Sequence, residues 1–204
     1  QAIDTRLGNP HLLPGVSSGY IDIDTLMSGF RKSELTILAA RPGVGKTVLA
    51  LNFARHAIFN GDGTFFVSLE MSKSELCERL LCCQARVNSH NLRTNRVNAD
   101  EIDRLTQASG ELSSRSMFID DTACQGMTRI AANARRLKMR YDIKLVIIDY
   151  IQLIEPESKH EKRHEQVGQI SRRLKFLAKE LDIPVIALSQ LNRTSEDRAD
   201  HKPR

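Results

Sequence analysis

The stretch "ILAARPGVGKT", residues Ile37 to Thr47, decides how the chain is read. A short apolar run enters a turn that ends in Gly-Lys-Thr, and "TVLALNFARHAIF" (Thr47–Phe59) continues with apolar residues at helical spacing. Strand, glycine-containing loop and helix, in that order, are the setting of the phosphate loop G-x-x-x-x-G-K-[ST]. Ala40 stands where the pattern has its first glycine, at a strand end where a small side chain is sufficient. Gly45 lets the backbone approach phosphate oxygens closely. Lys46 brings positive charge to the outer phosphates and Thr47 a hydroxyl to Mg²⁺. The helix that follows favours anions at its N-terminus. Arg41, Pro42, Gly43, Val44, Gly45, Lys46, Thr47 and Val48 are therefore the expected nucleotide-binding residues.

Outward from this loop, apolar runs and amphipathic stretches alternate. Strands are expected at Glu34–Ala40, Thr64–Glu70, in "SMFIDD", at Ile143–Tyr150 and at Pro184–Asn192. Helices are expected in "SKSELCERLL", where Ser72 and Glu75 have capping-box spacing, in "NADEIDRLTQAS" with Asn98 as cap, in "TRIAANARRLKMRY" and in "HEQVGQISRRLKFLAKEL". Most strands are continuous apolar runs, which points to an α/β fold with a mainly parallel sheet covered by helices on both faces. Such sheets bind ligands at the carboxyl ends of their strands.

Three polar residues end strands of this set. Asp149 closes "KLVIID" and is placed to hold Mg²⁺ beside the phosphate loop, through water. Glu70 closes "FFVSLE". No acid follows Asp149, since Tyr150 is there, so the base that polarises a hydrolytic water must come from elsewhere, and Glu70 is the candidate. Gln190 closes "VIALSQ", where a neutral amide can touch a terminal phosphate and register its loss. Each has a plainer reading as an ordinary polar strand end; the phosphate loop beside them favours the functional one.

A chain of 204 residues with 41% hydrophobic content can bury the core of one domain. The net charge of +5 suits an anionic polymer as partner, and equally a solvated basic surface. Basic residues crowd two loops. "PESKHEKRHEQ" carries Lys159, Lys162 and Arg163, and "NRTSEDRADHKPR" carries Arg193 and Arg198; these five are the expected DNA contacts. His160 and His164 lie among charges and read as solvated rather than ligating. Trp is absent and aromatics are 5%, so stacking on bases is not a main theme. The four cysteines form no C-x-x-C pair, which argues against a zinc site or disulfide framework and for a reduced, cytoplasmic setting.

"TILAARPGVGKTVLALNFA", "FFVSLEMS", "LVIIDYIQLI" and "LAKELDIPVIALSQLNR" resemble the successive motifs of DnaB-type replicative DNA helicases, and "GVSSGYIDIDTLMSGF" the segment before them. The likeness runs from about Gly15 to the C-terminus, and Ala40 followed by Arg41-Pro42 is the family's habit. It implies a RecA-like P-loop ATPase core, a homo-hexamer around single-stranded DNA, ATP and Mg²⁺ as cofactors, and 5′-to-3′ translocation with duplex unwinding. It also implies a primase and a helicase loader as partners of the full-length protein. By motif position Lys46 and Thr47 bind phosphate and Mg²⁺, Glu70 is the catalytic base, Asp149 the Mg²⁺-associated acid and Gln190 the γ-phosphate sensor. Residues 1–14 are expected to be a linker or the end of an upstream region, and residues 15–204 an ATPase domain lacking the family's C-terminal continuation with its arginine finger. A recombinase or repair ATPase of the same fold, and a nucleotide-gated loader or regulatory module, are the alternative readings.

Overall fold

A computed structural model describes residues 13–156 and 163–191. Five strands form one sheet: β1 (Leu35–Ala40), β2 (Thr64–Ser68), β3 (Met117–Asp120), β4 (Leu145–Asp149) and β5 (Val185–Gln190), in the order β1-β5-β4-β2-β3. Every pairing between them is parallel. The helices are α1 (Ile21–Met27), α2 (Lys46–Phe59), α3 (Lys73–Ala85), α4 (Ser89–Arg93), α5 (Ala99–Ser113), α6 (Met127–Tyr141) and α7 (Arg163–Leu181), with a 3-10 turn at Ile151–Leu153.

Strand side chains alternate between two cores. Phe65, Val67, Val146, Ile148, Val185 and Ala187 face α6 and α7, meeting Ile130, Ala134, Leu174 and Ala178. Their neighbours Phe66, Leu145, Ile147, Ile186 and Leu188 face α2, meeting Ala50, Leu51, Phe53, Ala54 and Ala57. Burial on both faces is why β2 and β4 are apolar runs without alternation. Each fully buried Phe, Ile or Leu stabilises the fold by roughly 1.5–3 kcal/mol. Small residues on α2 let that helix lie close against the sheet. A satellite cluster of Ala85, Val87, Leu105 and Ala108 joins α3 to α5.

The strands end sooner than the apolar runs suggest. β2 stops at Ser68, so Leu69 and Glu70 lie in the turn beyond it, and β4 stops at Asp149. Ser68 turns the chain by donating its hydroxyl to the Met71 carbonyl (2.6 Å) and accepting the Met71 N–H. The Ser72–Glu75 and Asn98–Glu101 capping boxes both form. The chain leaves β1 toward the α2 face and leaves β4 toward the α7 face. That parting opens a crevice at the carboxyl edge of the sheet.

Candidate active site

The parallel register assembles the site. Ala40 pairs with Gln190, so the phosphate loop departs beside the end of β5. Ser68 pairs with Asp149, and Leu69 N–H donates to the Asp149 carbonyl (2.7 Å), so the turn carrying Glu70 departs beside the end of β4. Four strand ends thus bring Lys46, Thr47, Glu70, Asp149 and Gln190 to one edge.

Residues 41–45 form an open turn. Gly43 (φ +78) and Gly45 (φ +99) hold left-handed conformations, and a Cβ built on either meets no atom within 4 Å. The backbone is therefore uncovered on the side where phosphates would lie. Gly45 is the N-cap of α2, with no side-chain cap and no acid in the first turn. Its first N–H groups and the positive end of its dipole face outward, which is an anion site. Arg41 and Lys46 flank this turn, Arg41 half-buried, and Pro42, Gly43, Val44 and Val48 are exposed along it.

Asp149 is the most enclosed carboxylate, with 0% exposure. The Thr47 hydroxyl donates to its Oδ2 at 2.5 Å. Lys46, with only 9% of its side chain exposed, sets Nζ 3.6 Å from Oδ1. That distance is an ion pair and too long for a hydrogen bond, so Oδ1 is buried without a hydrogen-bond donor. Lys46 Nζ also lies 4.3 Å from the Tyr150 ring centroid, a cation–π contact. Burial first, then the charges of Glu70 and Asp149, push the Tyr150 phenol up from its usual value. Glu70 itself is exposed in the turn after β2, so the two carboxylates occupy unlike settings.

These residues suit a nucleotide with its divalent cation. A hard cation takes oxygen ligands and keeps several waters. The Thr47 hydroxyl and a buried carboxylate oxygen that lacks a donor supply one ligand and one acceptor for a metal-bound water.

Two groups at this edge carry roles that spacing alone does not reveal. Ser68 shapes the Glu70 turn. Gln152, inside "DYIQLI", directs its side-chain amide back onto the end of β5. Of the expected DNA contacts, Arg163 is described: it opens α7, and its Nη2 donates to the Gln152 carbonyl at 2.7 Å. Lys159, Lys162, Arg193 and Arg198 lie outside the described residues, as does His160. His164 is exposed beside Glu165, and among the described residues no group of three or more His, Cys, Asp or Glu is placed to hold a metal. The cysteines are free. A cavity of about 540 Å³ lies elsewhere, between Lys73, Asp121, Arg129 and Arg136 near β3, and none of the site residues lines it.

The family model of the DnaB-like helicase C terminal domain matches residues 15–204. The replicative DNA helicase DnaB of Geobacillus stearothermophilus is 43% identical over 193 residues, covering 94% of this chain and 42% of the relative. The replicative DNA helicase DnaC of Bacillus subtilis (strain 168) is 40% identical over the same shares. Among solved structures, an isolated ATPase domain superposes with a TM-score of 0.93 at 35% identity, covering 98% of this chain and 72% of that one. A DnaB-like replicative helicase, described with its interactions with primase, superposes with a TM-score of 0.92 at 35% identity, covering 98% and 49%. The chain thus spans about two fifths of the length of the curated relatives it matches.

Proposed function

We propose, from the premise that the chain belongs to the DnaB-like helicase C-terminal domain family, that it is the ATPase core of a replicative DNA helicase. Its fold is the RecA-like one of its structural neighbours. In the proposed activity, ATP hydrolysis drives a homo-hexamer 5′-to-3′ along single-stranded DNA and parts the duplex. The observation that carries the proposal is the convergence of the Gly45–Lys46–Thr47 loop on buried Asp149, with Glu70 and Gln190 on the flanking strand ends.

The residues divide the work. The N–H groups at the start of α2 and the Lys46 ammonium hold the phosphate oxygens. Thr47 and Asp149 hold Mg²⁺, Asp149 through water, and Mg²⁺ when bound offsets the charge on the transferred phosphoryl group. Glu70 accepts a proton from the attacking water, and its exposed turn gives the water access. Gln190 hydrogen-bonds the terminal phosphate and loses that bond on hydrolysis, so the segment after β5 takes a new position. Lys159, Lys162, Arg163, Arg193 and Arg198 follow β4 and β5 in sequence and contact the DNA backbone.

Single-stranded DNA, a primase and a helicase loader are the proposed partners. The first is supported by the net charge of +5, and the second by the primase named with one structural neighbour. Among the described residues no helix is long and apolar enough to cross a membrane, and the cytoplasm is the proposed location. The test is turnover of ATP by the intact protein with and without single-stranded DNA, together with displacement of a labelled strand. We expect stimulation and displacement; turnover indifferent to DNA, with no strand released, would overturn the motor reading.

A further inference from the structure

The β4–β5 ladder ends early. Its pairs are Val146–Val185, Ile147–Ile186 and Ile148–Ala187. On the other side β1 accompanies β5 to Gln190, and Leu191 N–H donates to the Ala40 carbonyl. Parallel strands send alternate residues' N–H and C=O to opposite neighbours. The backbone groups of Gln190 therefore point toward β4, at a level where β4 has already turned away. The Gln152 side chain meets both of them. Its Oε1 accepts the Gln190 N–H (3.3 Å), and its Nε2 donates to the Gln190 carbonyl (3.2 Å) and to Ser189 Oγ (2.8 Å). One amide stands in for the missing next residue of β4.

Gln152 is itself held on two sides. It sits in the 3-10 turn three residues past Asp149, closed by Leu153 N–H to the Tyr150 carbonyl and Ile154 N–H to the Ile151 carbonyl. Arg163 holds its carbonyl from the start of α7 (2.7 Å).

We propose that Gln152 is the positioning residue of the phosphate-sensing strand end. It fixes the backbone of Gln190 relative to Asp149 and leaves the Gln190 side chain as that residue's free polar group. Through Arg163 the same clamp joins the start of α7 to the end of β5, so a shift of either is felt by the other. The proposal rests on the reading of Gln190 as the sensor of the terminal phosphate.

The test uses the intact protein with Gln152→Met, which keeps the side chain's length and removes its three hydrogen bonds, alongside Gln190→Ala and the double variant. Gln152→Glu, which keeps the acceptor for the Gln190 N–H and loses the donor, is the conservative control. Amide hydrogen exchange over residues 185–191 should quicken in Q152M. Turnover should fall about ten-fold while nucleotide affinity stays within about two-fold, because Lys46 and Thr47 are untouched. Q152E should lie between Q152M and wild type. If Gln152 acts through Gln190, the double variant should be no slower than Q190A. Effects that multiply, or exchange that quickens while turnover stays at the wild-type level, overturn the positioning role and leave the sensor reading intact. Wild-type turnover in Q190A overturns both.

Discussion

Asp149 and Glu70 show how one sheet edge gives two carboxylates different chemistry. Asp149 is sealed under Lys46 and Thr47, where a fixed charge can organise a cation but a bulk water cannot reach it. Glu70 sits past the end of its strand, in a turn shaped by Ser68, open to solvent. Only the second is placed to take a proton from an entering water. Glu70→Gln keeps shape and removes the base, so turnover should fall by about 10²–10⁴-fold, with affinity for ATP retained. Steady-state hydrolysis beside equilibrium binding of a fluorescent nucleotide measures both; a variant as fast as wild type would strip Glu70 of the role. These residues were legible because chemistry at strand ends combines a polar type with a position, and both are written in the chain. Gln152 was not. Its amide acts by reaching back across the gap left where β4 departs, and no spacing in "DYIQLI" encodes that gap.

At the scale of elements, the apolar runs locate all five strands, and the capping boxes at Ser72 and Asn98 mark helix starts to the residue. What the pattern misses is short or polar. "IDIDTLM" forms α1 although Ile21 and Leu26 remain exposed, and "SHNLR" forms the five-residue α4. Neither has enough buried surface to print a periodicity. The joint between α6 and β4 offers a test of local electrostatics. Asp142 ends α6 with φ +49, receiving Lys138 Nζ at 2.6 Å and Lys144 Nζ at 2.5 Å. Hydrogen bonds from Lys138 and then Lys144 hold its carboxyl down to about 2, against 3.8 for a free aspartate. A lowered value favours the folded state above the unfolded value and loses that contribution as pH falls. Asn accepts the left-handed conformation, so Asp142→Asn removes the charge alone. In low salt its urea midpoint should lie below wild type at pH 7, and the gap should close between about pH 4 and pH 2. Because the pair is exposed, 1 M salt should also narrow it. A gap unchanged down to pH 2 would show that the two lysines contribute nothing through charge.

At the scale of the whole molecule, the sequence announces a parallel α/β sheet but not the order β1-β5-β4-β2-β3. Each buried strand is apolar on both faces, so any of them could neighbour any other by composition. The order matters because it sets β5 between β1 and β4 and so brings Gln190 between the phosphate loop and Asp149. A site built from four strand ends should join the fold's parts when ligand binds. Ligand at one hundred times its dissociation constant stabilises the folded state by about 2.7 kcal/mol. For a chain of this size that is a rise in melting temperature of about 5–10 °C. Wild type and E70Q should both show it with Mg²⁺ and a non-hydrolysable ATP analogue. Lys46→Ala should lose most of the rise at the same concentration. Its ligand-free melting temperature should also drop, since removing Lys46 leaves the buried Asp149 charge without its cation. The decisive quantity is therefore the shift on adding ligand, not the starting temperature. A K46A protein that melts lower yet gains the full shift would mean that the lysine supports the fold without holding phosphate.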